Sequence, residues 1–145
     1  MKLESKNISI ELRTVIEDQG NKELSIIKQT GTYIRKGHLE VISFVEKSND
    51  LGNVDTLITI KSDKVNIKRS GKISMNQQFV KGKRTECLYR HPYGSFLLEI
   101  QTESILLEPL RDGEGKVIIQ YDVMMNKEEI RHHHLTLTYM EENKE

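Results

Sequence analysis

KVIIQYDVMM and RHHHLTLTYM, residues 116–125 and 131–140, read as the two arms of one hairpin, and that reading decides the fold. In an extended chain successive side chains point to opposite faces. Val117, Ile119, Tyr121, Val123 and Met125 therefore share one side of the first arm. His133, Leu135, Leu137 and Tyr139 share one side of the second. A turn around Lys127 to Glu129 pairs Ile119 with Leu137, Tyr121 with Leu135 and Val123 with His133, burying both apolar rows together. A slip of one residue would turn one row to solvent. The same register sets Asp122 across from His134 on the outer side.

The two-residue rhythm continues in both directions along the chain. ISIELRTVI puts Ile8, Ile10, Leu12 and Ile16 on one face, EDQGN supplies a turn, and ELSIIKQTGTYIRK resumes the pattern. Gly31 inside that run reads as a bulge or sharp bend. Further strands are HLEVISFVE, TLITI, KVNIKR, a short piece from Ile73 to Phe79, RTECLYR and SFLLEIQTESILLE. The turns between them are KSDK, VKGKR, HPYG and RDGEGK. TESILLE swaps which parity is apolar, which predicts a bulge near Glu103 or a change of strand. No stretch sustains a helical period. Eight to ten amphipathic strands with short links predict an antiparallel meander, and closing it into a barrel removes exposed edges.

Composition agrees with this reading. The chain has sixteen isoleucines and no alanine, which favours pleated structure over helix. Its 145 residues suit a single domain spanning 1–145, with a solvated exterior given 30% charged residues. The net charge of zero removes any global attraction to phosphate. The N-terminal residues alternate and show no apolar run fit for a signal peptide or membrane span. Cys87 is the sole cysteine, as suits a reducing cytoplasm, where the protein is expected to reside.

Three consecutive histidines invite a metal reading. His132 and His134 share a face, with Asp122 as a third candidate ligand. Alternate histidines on a solvated strand are the more ordinary arrangement, so no metal is assigned; His133, on the inner face, reads as a core imidazole. Cys87 and His91 share a face, but four residues at about 3.3 Å each separate them by roughly 13 Å, too far for a thiol–imidazole pair. RDGEGK lacks the spacing of a phosphate loop and no helix follows it. Catalysis has no positive support, and no cofactor is expected.

Charge is locally uneven. The stretch Lys64–Arg84 carries seven basic residues and no acid, so Lys68, Lys72, Lys81, Lys83 and Arg84 are candidates for a face that docks nucleic acid or protein. Phe79 is its single aromatic, which weakens the nucleic-acid case. Arg69 shares parity with Val65 and Ile67 and should turn inward, where a guanidinium needs partners. A clamp closing one barrel end is favoured over an anchor for an anionic ligand.

IEDQGNKEL, FVEKSNDLGNVDTLITI, IKRSGKISMNQQFVKGKRTECLYRHPYGSFLLEIQTESI and GEGKVIIQYDV together resemble the YwiB-like family of small bacterial proteins of unknown function. The densest marks are Arg69, Gly71, Met75, Phe79, Gly82, Tyr89, Pro92, Tyr93, Gly94, Thr102, Gly115 and Tyr121. His91 stands where that family has Thr, and His132 to His134 fall outside its pattern. The resemblance implies a calycin-like, lipocalin-type barrel, with no activity and no catalytic residues to carry over. True lipocalins are matched in architecture only, since the chain has no Trp.

About eight strands can enclose one small molecule or fill with side chains. The leading expectation is a non-enzymatic barrel that binds a small, partly apolar ligand. Tyr33, Tyr93 and Tyr121 would offer apolar surface with a polar tip, Arg69 a charge, and His133 a neighbouring imidazole. The alternatives are the basic interaction face and a metal-assisted enzyme. Oligomeric state is open, a homodimer included.

Overall fold

Alternating apolar and polar residues make strands, and tight turns between them force neighbours to pair antiparallel. The computed structural model describes residues 5–48, 50–125 and 129–142. In it the chain forms ten strands: β1 (Ser5–Asp18), β2 (Asn21–Lys36), β3 (Leu39–Ser48), β4 (Gly52–Ile60), β5 (Lys64–Ser70), β6 (Ser74–Val80), β7 (Arg84–His91), β8 (Gly94–Arg111), β9 (Glu114–Met125) and β10 (Glu129–Glu141). Each pairs antiparallel with its neighbours in sequence, and β10 closes on β1 to complete a barrel. No helix among the described residues is long and apolar enough to cross a membrane.

Turn chemistry sets the register. Gln19 and Gly20 take φ values of 49° and 86°, the mirror-image turn whose twist matches the strands it joins. Asp18 thereby pairs with Asn21, and the β1–β2 ladder runs unbroken to Ser5 opposite Ile34. The expected parity change in β8 is a bulge within one strand: pairing with β9 skips a residue between Thr102 and Ser104, at Glu103.

Two expectations need correction. Gly31 is not a bulge, because β2 pairs in step through it with both β1 and β3. Its service is close approach: a Cβ there would overlap the Ser43 carbonyl oxygen and lie 2.9 Å from the Phe44 Cβ. Beyond Gly31 the two strands fork, and residues 21–30 of β2 pair with β1 alone. The β9–β10 register also lies two residues from the expected one, with Ile119 opposite Leu135, Tyr121 opposite His133 and Asp122 opposite His132. A two-residue shift preserves parity, so the apolar rows could not distinguish the registers. On its other side β10 seats Leu137 against Leu12 and Tyr139 against Ile10 of β1. Of the expected turn at Lys127 to Glu129, residues 127–128 lie outside the described residues; Glu129 opens β10, opposite Met125.

Inward side chains fill the middle of the barrel. Ile8, Ile42, Ile58, Ile67, Ile100 and Ile119 are fully buried in one continuous cluster with Tyr33, Phe79 and Leu137. Each such aliphatic side chain contributes about 1.5–3 kcal/mol by leaving water. Polar groups therefore gather toward the ends of the strands, where functional geometry can be built.

Candidate functional site

The β2–β3 hairpin turns at Gly37, φ 62°, and sets Arg35 opposite Glu40. Glu40 has the inward parity of Ile42 and Phe44, so its carboxylate enters the end of the barrel and its side chain is only 13% exposed. Two buried phenols meet it. The Tyr33 hydroxyl donates to Glu40 Oε1 at 2.6 Å, and the Tyr139 hydroxyl lies 3.3 Å and 3.2 Å from Oε1 and Oε2. The two rings stack with centroids 5.7 Å apart. Burial, reinforced by the Glu40 carboxylate, pushes both phenols well above the usual tyrosine range, so each stays a protonated donor.

Charged side chains tie the rim around this cluster. Arg35 lies 4.0 Å from both Glu40 and Asp112, and Lys6 bridges Asp112 at 3.2 Å and Glu141 at 3.5 Å. These pairs join β1, β2, β3, β10 and the β8–β9 turn. A recess of about 380 Å³ opens beside them, with Ile60, Leu107, Pro109 and Val117 as an apolar wall. Arg35, His38, Lys61 and Lys116 supply cationic or polar edges, and Glu40 and Tyr139 line it as well. The Glu40 carboxylate is occupied by its two phenols, so it orients and accepts hydrogen bonds. Glu108, opposite Lys116, lines the recess too, so three cations stand against two carboxylates around it.

Of the five ligand candidates read from the sequence, Arg69, Tyr121 and His133 neighbour one another, while Tyr33 and Tyr93 lie elsewhere. Tyr33 belongs to this cluster. Arg69 belongs to another: Nε lies 3.3 Å from Glu46 Oε1, and one terminal nitrogen lies 3.3 Å from Gln77 Oε1 and 3.8 Å from Met75 Sδ. Glu46 is six residues along β3 from Glu40, or roughly 20 Å, so the two clusters are separate. Tyr121 packs in the core between Phe79, at 4.6 Å, and His133, at 4.9 Å. Burial, with help from Arg131 and His132, pushes His133 down to about 4, which keeps the imidazole neutral. Tyr93 is 91% exposed in the β7–β8 turn, where its ring stacks on His91 at 5.2 Å.

The other candidates are also divided. Lys72 lies in the β5–β6 turn, while Lys81 and Lys83 lie in the β6–β7 turn at the opposite end of β6, about 20 Å away. Lys68 sits on β5, and Arg84 is paired with Glu99 at 3.3 Å. His132 Nδ1 lies 2.8 Å from Asp122 Oδ1, and His134 faces Gln120 instead. No group of three or more metal-ligating side chains occurs among the described residues.

Sequence reading missed Glu40, Tyr139 and Arg35 as a site. The signal was available for Glu40, since the parity test that singled out Arg69 applies equally to an acid aligned with Ile42 and Phe44. The Tyr139 contact depends on β10 closing on β1, which parity alone does not show.

A closed, ten-stranded antiparallel barrel with a carboxylate held by two phenols at one end defines the class: a small all-β barrel protein. The chain belongs to the family described as Domain of unknown function (DUF1934), which matches residues 10–137. It is 35% identical over 132 residues to the uncharacterized beta-barrel protein YwiB of Bacillus subtilis (strain 168), covering 91% of this chain and 92% of that protein. The crystal structure of the ywiB protein from Bacillus subtilis superposes with a TM-score of 0.86 at 31% identity, over 97% of this chain and 96% of that one.

Proposed function

We propose that the barrel is a non-enzymatic binder of a small, partly apolar anion, seated in the recess beside Glu40 and Tyr139. The observation that carries this is the recess itself, which brings Ile60, Leu107 and Val117 together with Arg35, Lys61 and Lys116, three cations against the carboxylates of Glu40 and Glu108. A guest with a ring or short chain and one acidic group would meet both requirements. The Tyr139 hydroxyl oxygen, whose proton goes to Glu40, would accept from a hydroxyl or amine on it. Small-molecule sites combine apolar walls with a few placed polar groups in this way. The closed antiparallel barrel gives the reading further support by analogy with barrels that enclose a small ligand. A cytoplasmic setting belongs to the same proposal, in keeping with one buried, unpaired cysteine.

Native mass spectrometry of the full chain, isolated from its own host without denaturation, tests this. A co-purifying small-molecule mass is expected, and it should be lost in the doubly substituted Lys61→Glu, Lys116→Glu chain. A guest retained equally by both chains would place binding elsewhere, and a wild-type chain free of any guest would argue against a resident ligand.

A further inference from the structure

The fork at Gly31 leaves two bare strand edges, residues 45–48 of β3 and the longer one, residues 22–30 of β2. Because Asp18 and Asn21 close the first turn as a bonded pair, the odd residues of β2 hydrogen-bond β1. Its even residues point the other way, and Thr32, Ile34 and Lys36 use that side to pair with β3. Lys22, Leu24, Ile26, Lys28 and Thr30 therefore aim their backbone N–H and C=O groups at an edge with no ladder partner among the described residues. Leu24 and Ile26 are 54% and 45% exposed there.

Another long one-sided stretch lies in β8 beyond Thr102. That edge carries Pro109 and register shifts at Thr102/Ser104 and Pro109/Arg111, devices that obstruct strand addition. The β2 edge has neither. Its lysines are offset from within: Lys22 bridges Glu17 at 3.3 Å, and Lys28 sits opposite Glu11.

We infer that this edge pairs antiparallel with the same edge of a second copy of the chain, Ile26 opposite Ile26, to form a two-fold homodimer with one sheet running across both barrels. This register sets Leu24 against Lys28, Lys22 against Thr30, Ser25 against Ile27 and Glu23 against Gln29, with no like charges opposed. Shifting it by two residues one way, to Leu24 against Ile26, opposes Lys22 and Lys28 twice; shifting it the other way, to Ile26 against Lys28, sets Lys22 against Thr32, whose free side is already paired with β3. Shifting by one puts the free backbone groups out of step. The recess near Glu40 takes no part in this interface, so either proposal can fail without the other.

Sedimentation velocity on the full chain tests the inference with Ile26→Pro and Ile26→Lys. The residue 26 N–H faces the free edge, so proline there removes no β1–β2 ladder bond, and lysine sets like charges across the two-fold axis. The wild type is expected to sediment as a dimer at tens-of-micromolar concentration. Both variants should sediment as monomers with an unchanged far-ultraviolet β spectrum. If the proline chain does not fold, the lysine chain decides. A monomeric wild type, or a dimer that Ile26→Lys leaves intact, overturns the inference.

Discussion

Gly115 makes the space that the Tyr139 hydroxyl occupies: a Cβ at position 115 would lie 2.6 Å from that oxygen and 2.9 Å from the ring carbon bearing it. The glycine is needed for this neighbour, and its own φ is ordinary. Gly115→Ala should push the Tyr139 ring off Glu40 and destabilise the fold by about 1–3 kcal/mol, an overpacking cost plus a weakened hydrogen bond to a charged group. Urea unfolding of the two chains measures it.

Tyr33 makes the shorter contact with Glu40, and its loss should be the more damaging. Tyr33→Phe leaves the ring stacked on Tyr139 but strips a 2.6 Å donor from a half-buried carboxylate. About 1.5–3 kcal/mol of stability should go with it. Tyr139→Phe, which removes a donor at 3.2–3.3 Å, should cost less. Equal losses would contradict the geometry.

His133 gives the protein a pH dependence whose sign follows from its burial. Its pKa lies at about 4 in the fold against 6.5 for an unperturbed imidazole, chiefly through desolvation. Between those values the unfolded chain binds a proton that the folded chain refuses. The contribution is fully present above about pH 6.5 and is lost as pH falls toward 4. After allowance for partial exposure this amounts to about 1–2 kcal/mol. His133→Phe, which retains a ring against Tyr121, should flatten the acid limb of stability measured by urea midpoints.

Gln19 is a non-glycine residue with positive φ, at 49°, in a turn that favours Asn or Gly. Gln19→Asn should therefore raise stability by about 0.5–1 kcal/mol, with no change in the barrel. A thermal melt is sufficient to detect it.

Most of the barrel was legible because parity is a strong signal on strands with one buried face. Ile8, Ile10, Leu12, Val117, Ile119, Leu135 and Leu137 all fall inside, as their alternation predicts. The bulge at Glu103 was legible for the same reason, since an extra residue reverses which parity is apolar. The β9–β10 register was not, because two-residue shifts look identical to a parity test. The candidate site was mostly hidden. Tyr33, Glu40 and Tyr139 are 106 residues apart from first to last, and closure of β10 onto β1 brings them together. Arg69 looked like the inward charge of interest because it stood out among basic residues, whereas Glu46, its neutralising partner, lay on another strand.

An amide-resolved NMR titration of the full chain with anilinonaphthalene sulfonate, an apolar anion, tests the proposed recess most directly. Shifts should concentrate in Arg35, His38, Ile60, Lys61, Leu107, Lys116 and Val117, the lining of the recess beside Glu40. They should weaken in the Lys61→Glu, Lys116→Glu chain. Shifts confined to the Arg69 end or the outer face, or none on saturation, would contradict it.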